Sequence, residues 1–525
     1  MECSCVPHFE LPNPSKLFLD LVYHSDRVRS FYPYNPHDPA SFQAAAAQIN
    51  LSPERRAALV AALRQRNGDS PSLALLAQPG TVAVVTGQQV GLFSGPAYTI
   101  YKALTAAKLA RDLTARGINA VPVFWLATED HDFAEINHTW VFNSAHQPQK
   151  LEIDGAWSSS QPVGGVPVTA PPIDALRQAL SGFPFGEEVT ALAAEAYQPG
   201  RPLGEAFGAL LKRLLPSFDI LLIDPMDAAV RALGAGAIRL ALDNAPELKR
   251  LVLERNKQLV DAGYHAQVHV EADTSFFFLL ENGRRLGLRQ QERDYLAQGR
   301  RISTEELMER AEQISPNALL RPVVQDSILP TVAYIGGPAE LAYLAQSEVI
   351  YRRILGRMPV ALSRSGFTLL DAKSRKLMTR YQLSLADIFH GDEALREHIA
   401  TGLVPPAVGK ALEDSKSATA RAIAGLETAL VAFDPTLANA MQRSSRKIEY
   451  QLTKMGRKIA RETLARDQRA GRDAASLSGL VYPHKHLQER LYSILPFLAK
   501  HGLDLIPQLY ENTHLECPDH QLLVI

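Results

Sequence analysis

A chain of 525 residues, at roughly one domain per 150 residues, has room for three or four units and at least one large core. Apolar residues make up 46% and charged residues 21%, globular values that exclude a disordered, collagen-like or disulfide-scaffold protein. Basic and acidic residues number 55 and 56, so the net charge of -1 supplies no global field to draw nucleic acid or an anionic membrane. Three cysteines, Cys3, Cys5 and Cys517, are too few for a framework of bridges and suit a reducing cytoplasm. The opening MECSCVPHFELPNP lacks the basic and apolar regions of a signal peptide, and no stretch nears the roughly 18 uninterrupted apolar residues of a membrane span. A cytoplasmic protein with no membrane partner is expected, and the lack of a fixed repeat argues against solenoids and propellers.

In chain order, TVAVVTG from Thr81 reads as a β-branched strand, QQVGLFSG as a polar loop, and 96–117 as a helix. Ser94 or Gly95 suits its N-cap, Pro96 its first position and Gly117 the residue that closes it. INAVPVFWLAT is apolar on both faces, as an inner parallel strand is, and completes a βαβ unit. Residues 155–174 are rich in Gly, Pro and Ser and read as a loop-rich insertion. Further strands are expected at 219–223 and 328–335, the second followed by Gly336, Gly337, Pro338 and an amphipathic helix to about Leu355. Between them, Asn282-Gly283 marks an antiparallel hairpin within 265–289. Strands alternating with helices predict an α/β fold with a doubly wound parallel sheet.

From about Gly409 to Gly471 the pattern changes. Ile423, Leu426, Leu430 and Phe433 step by three and four, and the rhythm resumes at Met441, Ile448, Leu452, Met455 and Ile459. This predicts an antiparallel coiled coil with Asp434 capping its second helix and Pro435 at the first position. About thirty residues at ~1.5 Å rise make an arm of roughly 45 Å, a device for dimerisation or docking. The expected boundaries are 1–140 and 216–385 for the core, 141–215 for the insertion, 386–480 for the arm, and 481–525 for a segment returning to the core.

Several constellations carry chemistry. GQQVGLFSGP ends at a helix N-terminus, where backbone N–H groups and the helix dipole favour an anion. It is neither a Walker A loop, since no lysine follows the second glycine, nor a G-x-G-x-x-G fingerprint. Lys102 lies inside the helix, but helical side chains lean toward the N-terminus, which brings its ammonium to the same mouth beside Tyr98. The alternative is that Gly87, Gly91 and Gly95 only shape a turn and Lys102 is solvated.

Glu129, Asp130, His131 and Asp132 follow the buried strand directly, with Glu135 and His138 close behind. In open α/β sheets ligands bind outside the carboxyl ends of strands, where these groups fall. Mutual repulsion spreads the pKa values of such acids, giving candidates for a general base, an ammonium-binding carboxylate or Mg²⁺ ligands. Alternatively the acids cap the next helix. Zinc is disfavoured because His131 and His138 lack the H-x-x-x-H spacing. A third set, Arg321, Gln325 and Asp326, precedes the strand ending at Gly336-Gly337-Pro338, with Glu340 in the following helical turn. Arg321 suits a carboxylate or phosphate clamp, or an ion pair with Asp326. Tyr482, His484 and His486 read as a surface loop. Between Gln442 and Arg472, ten Lys or Arg against three Asp or Glu leave an excess of +7, a stripe for nucleic-acid phosphates or the solvated face of a coiled coil. Only Tyr450 is interleaved to stack a base, which weighs against nucleic acid. These residues leave open a metal-dependent hydrolase at Glu129 to Asp132 and a coiled-coil nucleic-acid-binding or scaffold protein.

TGQQVGLFSGPAYTIYK followed by VPVFWLATEDHDFAEINH resembles the signature of the BshC family, named as cysteine ligases of bacillithiol biosynthesis. FYPYNP (31–36), YIGGPAELAYLAQ (334–346) and LQER (487–490) resemble the family in the same order, so the likeness covers nearly the whole chain. Ser94 stands where threonine is expected and Ala97 where leucine is. The resemblance implies a Rossmann-like core related to class I aminoacyl-tRNA synthetases and nucleotidylyl transferases, with connecting-peptide insertions and a coiled-coil domain that forms a homodimer. Neither an HIGH-like nor a KMSKS-like motif is present, so the relation to synthetases stops at the fold. The implied reaction joins the carboxyl of cysteine to the amine of glucosaminyl-malate, the last step toward bacillithiol. ATP is the expected co-substrate, with Mg²⁺ its possible companion. Carried onto this sequence, the likeness implies that Gly87, Gln88, Gln89, Ser94, Gly95 and Tyr98 rim a pocket for nucleotide or sugar. Glu129, Asp130, His131 and Asp132 would line its floor, and Gly336, Gly337 and Glu340 would close the opposite wall. One carboxylate would hold the cysteine ammonium, and His131 is the candidate base for the attacking amine.

Overall fold

Short, uniformly apolar segments joined by helices long enough to cross over them dictate a buried parallel sheet. The computed structural model describes residues 2–525 apart from 154–156, 158–159, 272, 292–293 and 435. The chain forms two compact units, the first made of Met1–Ser144, Pro148–Thr368 and Glu489–Leu523, the second of Ala145–Gln147, Leu369–Gln488 and Val524–Ile525.

In chain order the elements that matter in the first unit are strand β1 (Glu2–Val6), β2 (Val82–Gln88), helix α1 (Tyr98–Ala115), β3 (Ala120–Leu126), the single turn α2 (Phe133–Ile136) and β4 (Leu221–Ile223). They continue with the hairpin β5 (Phe277–Glu281) and β6 (Arg284–Gly287), helix α3 (Arg321–Ile328), β7 (Thr331–Gly336), α4 (Pro338–Ile354), β8 (Val360–Ser363) and β9 (His520–Val524). Five strands make one sheet in the order β8-β7-β2-β3-β4, with every neighbouring pair parallel. Chain order runs outward from β2 to β3 and β4, then returns to the other side of β2 for β7 and β8. The switch point is therefore beside β2, and a crevice opens there beyond the strand ends.

Alternate residues of β2 feed two cores. Ala83 and Val85 pack on one face with Val121, Val123 and Trp125, while Val82 and Val84 pack on the other with Ala120, Val332 and Val360. The Asn282-Gly283 turn forms as expected, both residues at positive φ (51° and 71°), which suits a two-residue hairpin. Gly117 likewise closes α1 at φ 87°, its N–H bonded to the Thr114 carbonyl.

Three expectations are corrected. The helix after the first loop starts at Tyr98, and Ser94 does not cap it: Phe93 and Ser94 take left-handed φ values of 50° and 72° in a buried turn, and the Ser94 hydroxyl has no hydrogen-bond partner. The strand expected from Ile328 begins at Thr331, because 321–328 is helical. Arg321 does not pair with Asp326, whose carboxylate is taken by Thr331, Gln325 and Tyr351.

The second unit carries the coiled coil, helices α5 (Pro406–Phe433) and α6 (Thr436–Arg466) packed along each other. Pro435, expected at the start of α6, lies outside the described residues. Ile423, Leu430, Met441, Leu452 and Ile459 are half-buried along the seam, whereas Leu426, Phe433, Ile448 and Met455 stay exposed, Phe433 at 84%. Part of the basic stripe is neutralised within the unit, Arg457 by Glu397 at 3.1 Å and Arg461 by Glu393 at 3.6 Å. Among the described residues no helix is long and apolar enough to cross a membrane.

Candidate active site

The carboxyl ends of β2, β3 and β7 converge on a cavity of about 490 Å³ at the switch point. Gly87, one residue before the end of β2, runs so close to β3 that a Cβ there would sit 2.9 Å from the Trp125 carbonyl oxygen, which is why the strand can carry Gln88 and Gln89 to the rim only through a glycine.

The wall at the end of β7 is an ionic network. Lys102, about one turn into α1, is 1% exposed and reaches back along the helix as its position requires. Its Nζ donates to the Gly87 carbonyl at 2.9 Å and to Gln88 Oε1 at 2.8 Å, and pairs with Glu340. Glu340 caps α4 by accepting from the Gly337 N–H at 2.9 Å and accepts a bond from the Tyr334 hydroxyl at 2.9 Å. Burial pulls the Lys102 ammonium below its ordinary pKa. Burial pushes the Glu340 carboxyl up, but Lys102 and the Gly337 N–H outweigh it and hold the acid below its ordinary value. Arg321 donates to the Tyr343 hydroxyl at 2.7 Å. Arg364 is gripped by both oxygens of buried Glu489, at 2.5 and 2.9 Å, and stacks over Tyr98 with 5.1 Å to the ring centroid.

The floor at the end of β3 is more open. Glu129 is buried, with Arg231 at 3.7 Å, and burial raises its carboxyl above the ordinary range. Asp130 accepts from Gln89 at 2.8 Å and from the His131 N–H at 2.7 Å, with Arg285 at 3.4 Å. Burial pushes its carboxyl up, but Gln89 and Arg285 prevail and leave it below its ordinary value. The two neighbouring acids are thus driven apart by burial and by cations rather than by each other. Arg285 also stacks on Phe278 at 3.9 Å and donates to His131 Nδ1 at 3.0 Å. An arginine only donates, so Nδ1 accepts and the proton of the neutral ring sits on Nε2.

The cavity gathers Gly87, Gln88, Gln89, Tyr98, Lys102, Glu129, Asp130, His131, Arg321, Gly337 and Glu340 from the expected set. Ser94 and Gly95 are buried outside its lining, and the Ala97 N–H at the start of α1 is occupied by the Tyr492 carbonyl at 2.7 Å, so this helix mouth does not face the cavity. Asp132 is exposed and caps α2 through the Glu135 N–H at 3.3 Å. Gly336 lies behind the lining, against Leu341 and Tyr334. The reading from sequence missed Arg285, Tyr343, Arg364 and Arg490. Arg490 stands in the LQER segment, which offered a signal; Arg285, on a hairpin whose outer positions are also arginine, offered none.

Two family models cover the chain. "Bacillithiol biosynthesis BshC, N-terminal Rossmann-like domain" matches residues 1–365, and "Bacillithiol biosynthesis BshC, C-terminal coiled-coil domain" matches residues 367–525. A protein of Solibacter usitatus is 57% identical over 525 residues, covering all of both chains. One of Koribacter versatilis is 36% identical, covering 99% of each, and one of Symbiobacterium thermophilum is 31% identical, covering 93% of this chain and 94% of its own. All three carry the name "Putative cysteine ligase BshC". With both domains matched in order and the Rossmann-like sheet and coiled coil in place, the chain belongs to the BshC family.

Proposed function

We propose that this cavity joins the carboxyl of cysteine to the amino group of glucosaminyl-malate, completing bacillithiol, with ATP activating the carboxyl. The observation that carries the reading is the division of charge in one cavity: Glu129 and Asp130 on the floor face a lining that includes Arg285, Arg321, Arg364 and Arg490. Carboxylates suit the amines of the two substrates, and guanidiniums suit the malate carboxylates and the phosphates of a nucleotide.

A carboxylate at neutral pH does not yield to an amine, because oxide is no leaving group. Attack of the cysteine carboxylate on the α-phosphorus of ATP expels pyrophosphate and leaves an acyl-AMP, or attack on the γ-phosphorus expels ADP and leaves an acyl phosphate; the amine then attacks the carbonyl, AMP or phosphate departs with the C–O bonding electrons, and the nitrogen gives up a proton. Arg321 and Arg490, which line the cavity beside the start of α4, take the phosphates. Magnesium would arrive with them, held chiefly by phosphate oxygens. Asp130, kept ionised, holds the cysteine ammonium. His131, with its proton on Nε2, donates to the carbonyl oxygen as charge grows there, a revision of the base role its position first suggests. Glu129, with its raised carboxyl, takes the amine proton.

The hydrolase alternative is less well supported, because arginines already stand against both acids, Arg285 against Glu129 and Asp130 and Arg231 against Glu129, and Asp132 turns away to cap α2. The exposed stripe of Leu426, Phe433, Ile448 and Met455 on the arm suits a second copy of the chain, and a homodimer through α5 and α6 is part of the proposal. The test is direct: purified protein given cysteine, glucosaminyl-malate and ATP forms bacillithiol, detected by mass, and His131→Ala reduces product by about 100-fold, as loss of an oxyanion donor does. No product with or without ATP contradicts the reading.

A further inference from the structure

All three cysteines of this chain meet at one place, although 512 residues separate Cys5 from Cys517. Cys3 and Cys5 lie two apart on β1 and therefore project from the same face of the strand. Strand β9, which follows Cys517 and Asp519, is the neighbour of β1 in a small sheet. The pairing brings Cys5 Sγ to 3.1 Å from Cys517 Sγ. The thiols of Cys5 and Cys517 and a carboxylate oxygen of Asp519 all lie within 4.8 Å of one another. Asp519 is held in place by the Tyr23 hydroxyl, which donates to its Oδ1 at 2.6 Å. The Sγ of Cys3 is near Gln521 Oε1 at 3.9 Å, a weak contact that a change of rotamer surrenders.

Two sequence pairs, C-x-C at one end of the chain and C-x-D at the other, thus present two sulfurs and one carboxylate to a common point, with the sulfur of Cys3 next to them on the same face of β1. A lone thiol pair needs neither the aspartate nor a third cysteine, whereas three thiolates and a carboxylate make a four-coordinate set for a thiophilic divalent cation. We infer that Cys5, Cys517 and Asp519, joined by Cys3, form a structural binding site for a divalent ion of the zinc class. On binding, each thiol gives up its proton to solvent and its sulfur bonds the ion, with no change of oxidation state. The ion would staple the first strand to the segment entering the last one. Cys517 shares a small cavity with Arg364, so the staple lies behind the active-site wall rather than in it.

The test is a cobalt titration of the full-length, reduced protein under anaerobic conditions, followed by zinc. The expected result is one equivalent bound, thiolate-to-cobalt charge-transfer bands with the intense visible bands of tetrahedral cobalt, their loss on adding zinc, and a rise in Tm with zinc. Cys5→Ser and Cys517→Ser each abolish the charge-transfer bands. Asp519→Asn, which can still accept from Tyr23, weakens binding at least tenfold, and Cys3→Ser shifts the visible bands. Absence of thiolate bands in the wild-type protein overturns the inference. So does unchanged binding in Cys517→Ser, or affinity in Asp519→Asn equal to wild type.

Discussion

The ends of β3 and β7 flank the same strand, yet they are built on opposite terms. At β7 the charges are closely matched: Lys102 meets Glu340, Arg364 meets Glu489, and Arg321 is held by the hydroxyls of Tyr334 and Tyr343. At β3 the match is looser, for buried Glu129 has its nearest ion-pair cation, Arg231, at 3.7 Å and shares Arg285 with Asp130, and His131 is about one-third exposed. A satisfied network fixes a shape, whereas an incompletely satisfied one holds groups whose protonation a substrate can change. The proposed function therefore uses the β7 wall as the frame of the site and gives the proton transfers to the β3 floor.

That division can be broken by substitution, and the largest effect falls on the wall. Lys102→Met leaves the half-buried Glu340 carboxylate without its cation, and unfolding in urea should show a loss of about 3 kcal/mol. A loss under 1 kcal/mol would deny the wall its structural role. Next comes acid. His520 is buried behind the Arg364–Glu489 pair, and burial depresses its pKa from 6.5 to about 4. The unfolded chain takes up the proton below about pH 6.5 while the folded chain refuses it, so stability is full above that pH and declines as pH falls toward 4, by about 3 kcal/mol from this residue. His520→Gln should flatten the urea midpoint across that window by the same amount.

On the floor the readout shifts to activity. Arg285→Met frees both Asp130 and His131 Nδ1, and product formation should fall by about 100-fold, equal to about 2.7 kcal/mol of barrier. Glu129→Gln removes a carboxyl whose folded pKa is raised, so folding is relieved of a penalty present above the unfolded pKa, and stability at neutral pH should hold or rise. Activity should still fall by about tenfold, and the acid limb of the kcat/KM profile, which marks loss of the carboxylate as pH drops through its raised pKa, should disappear. Smallest is Asp132→Ala, which removes the cap of α2 for about 1 kcal/mol and leaves chemistry within twofold.

Sequence carried the outline well where period and punctuation are local. The β2 strand, its glycines, the αL close of α1 at Gly117, the Asn282-Gly283 hairpin and the two arm helices each depend on neighbours in the chain. The Glu129 to Asp132 cluster was also visible, because position after a buried strand places it at a strand end. What was hidden depends on residues far apart. No local pattern shows that Arg285 reaches across to Asp130, 155 residues earlier, or that Arg364 is held by Glu489. The turn at Phe93 and Ser94 misled for a related reason: a Ser-Gly-Pro run reads as a cap and helix start, while tertiary packing twists both residues into left-handed geometry and lets Tyr492 occupy the helix end. The cysteines carried the same lesson, being too few for a framework and yet assembled by the pairing of the first and last strands.

The central claim is that one cavity at the switch point forms the amide. It is tested most directly by a single-turnover measurement with purified protein, isotope-labelled cysteine, glucosaminyl-malate and ATP, following bacillithiol by mass in wild type and Arg285→Met side by side. The account predicts stoichiometric product from the wild type and about 100-fold slower formation in the folded variant. Equal rates in the two, or no product from the wild type, would contradict it.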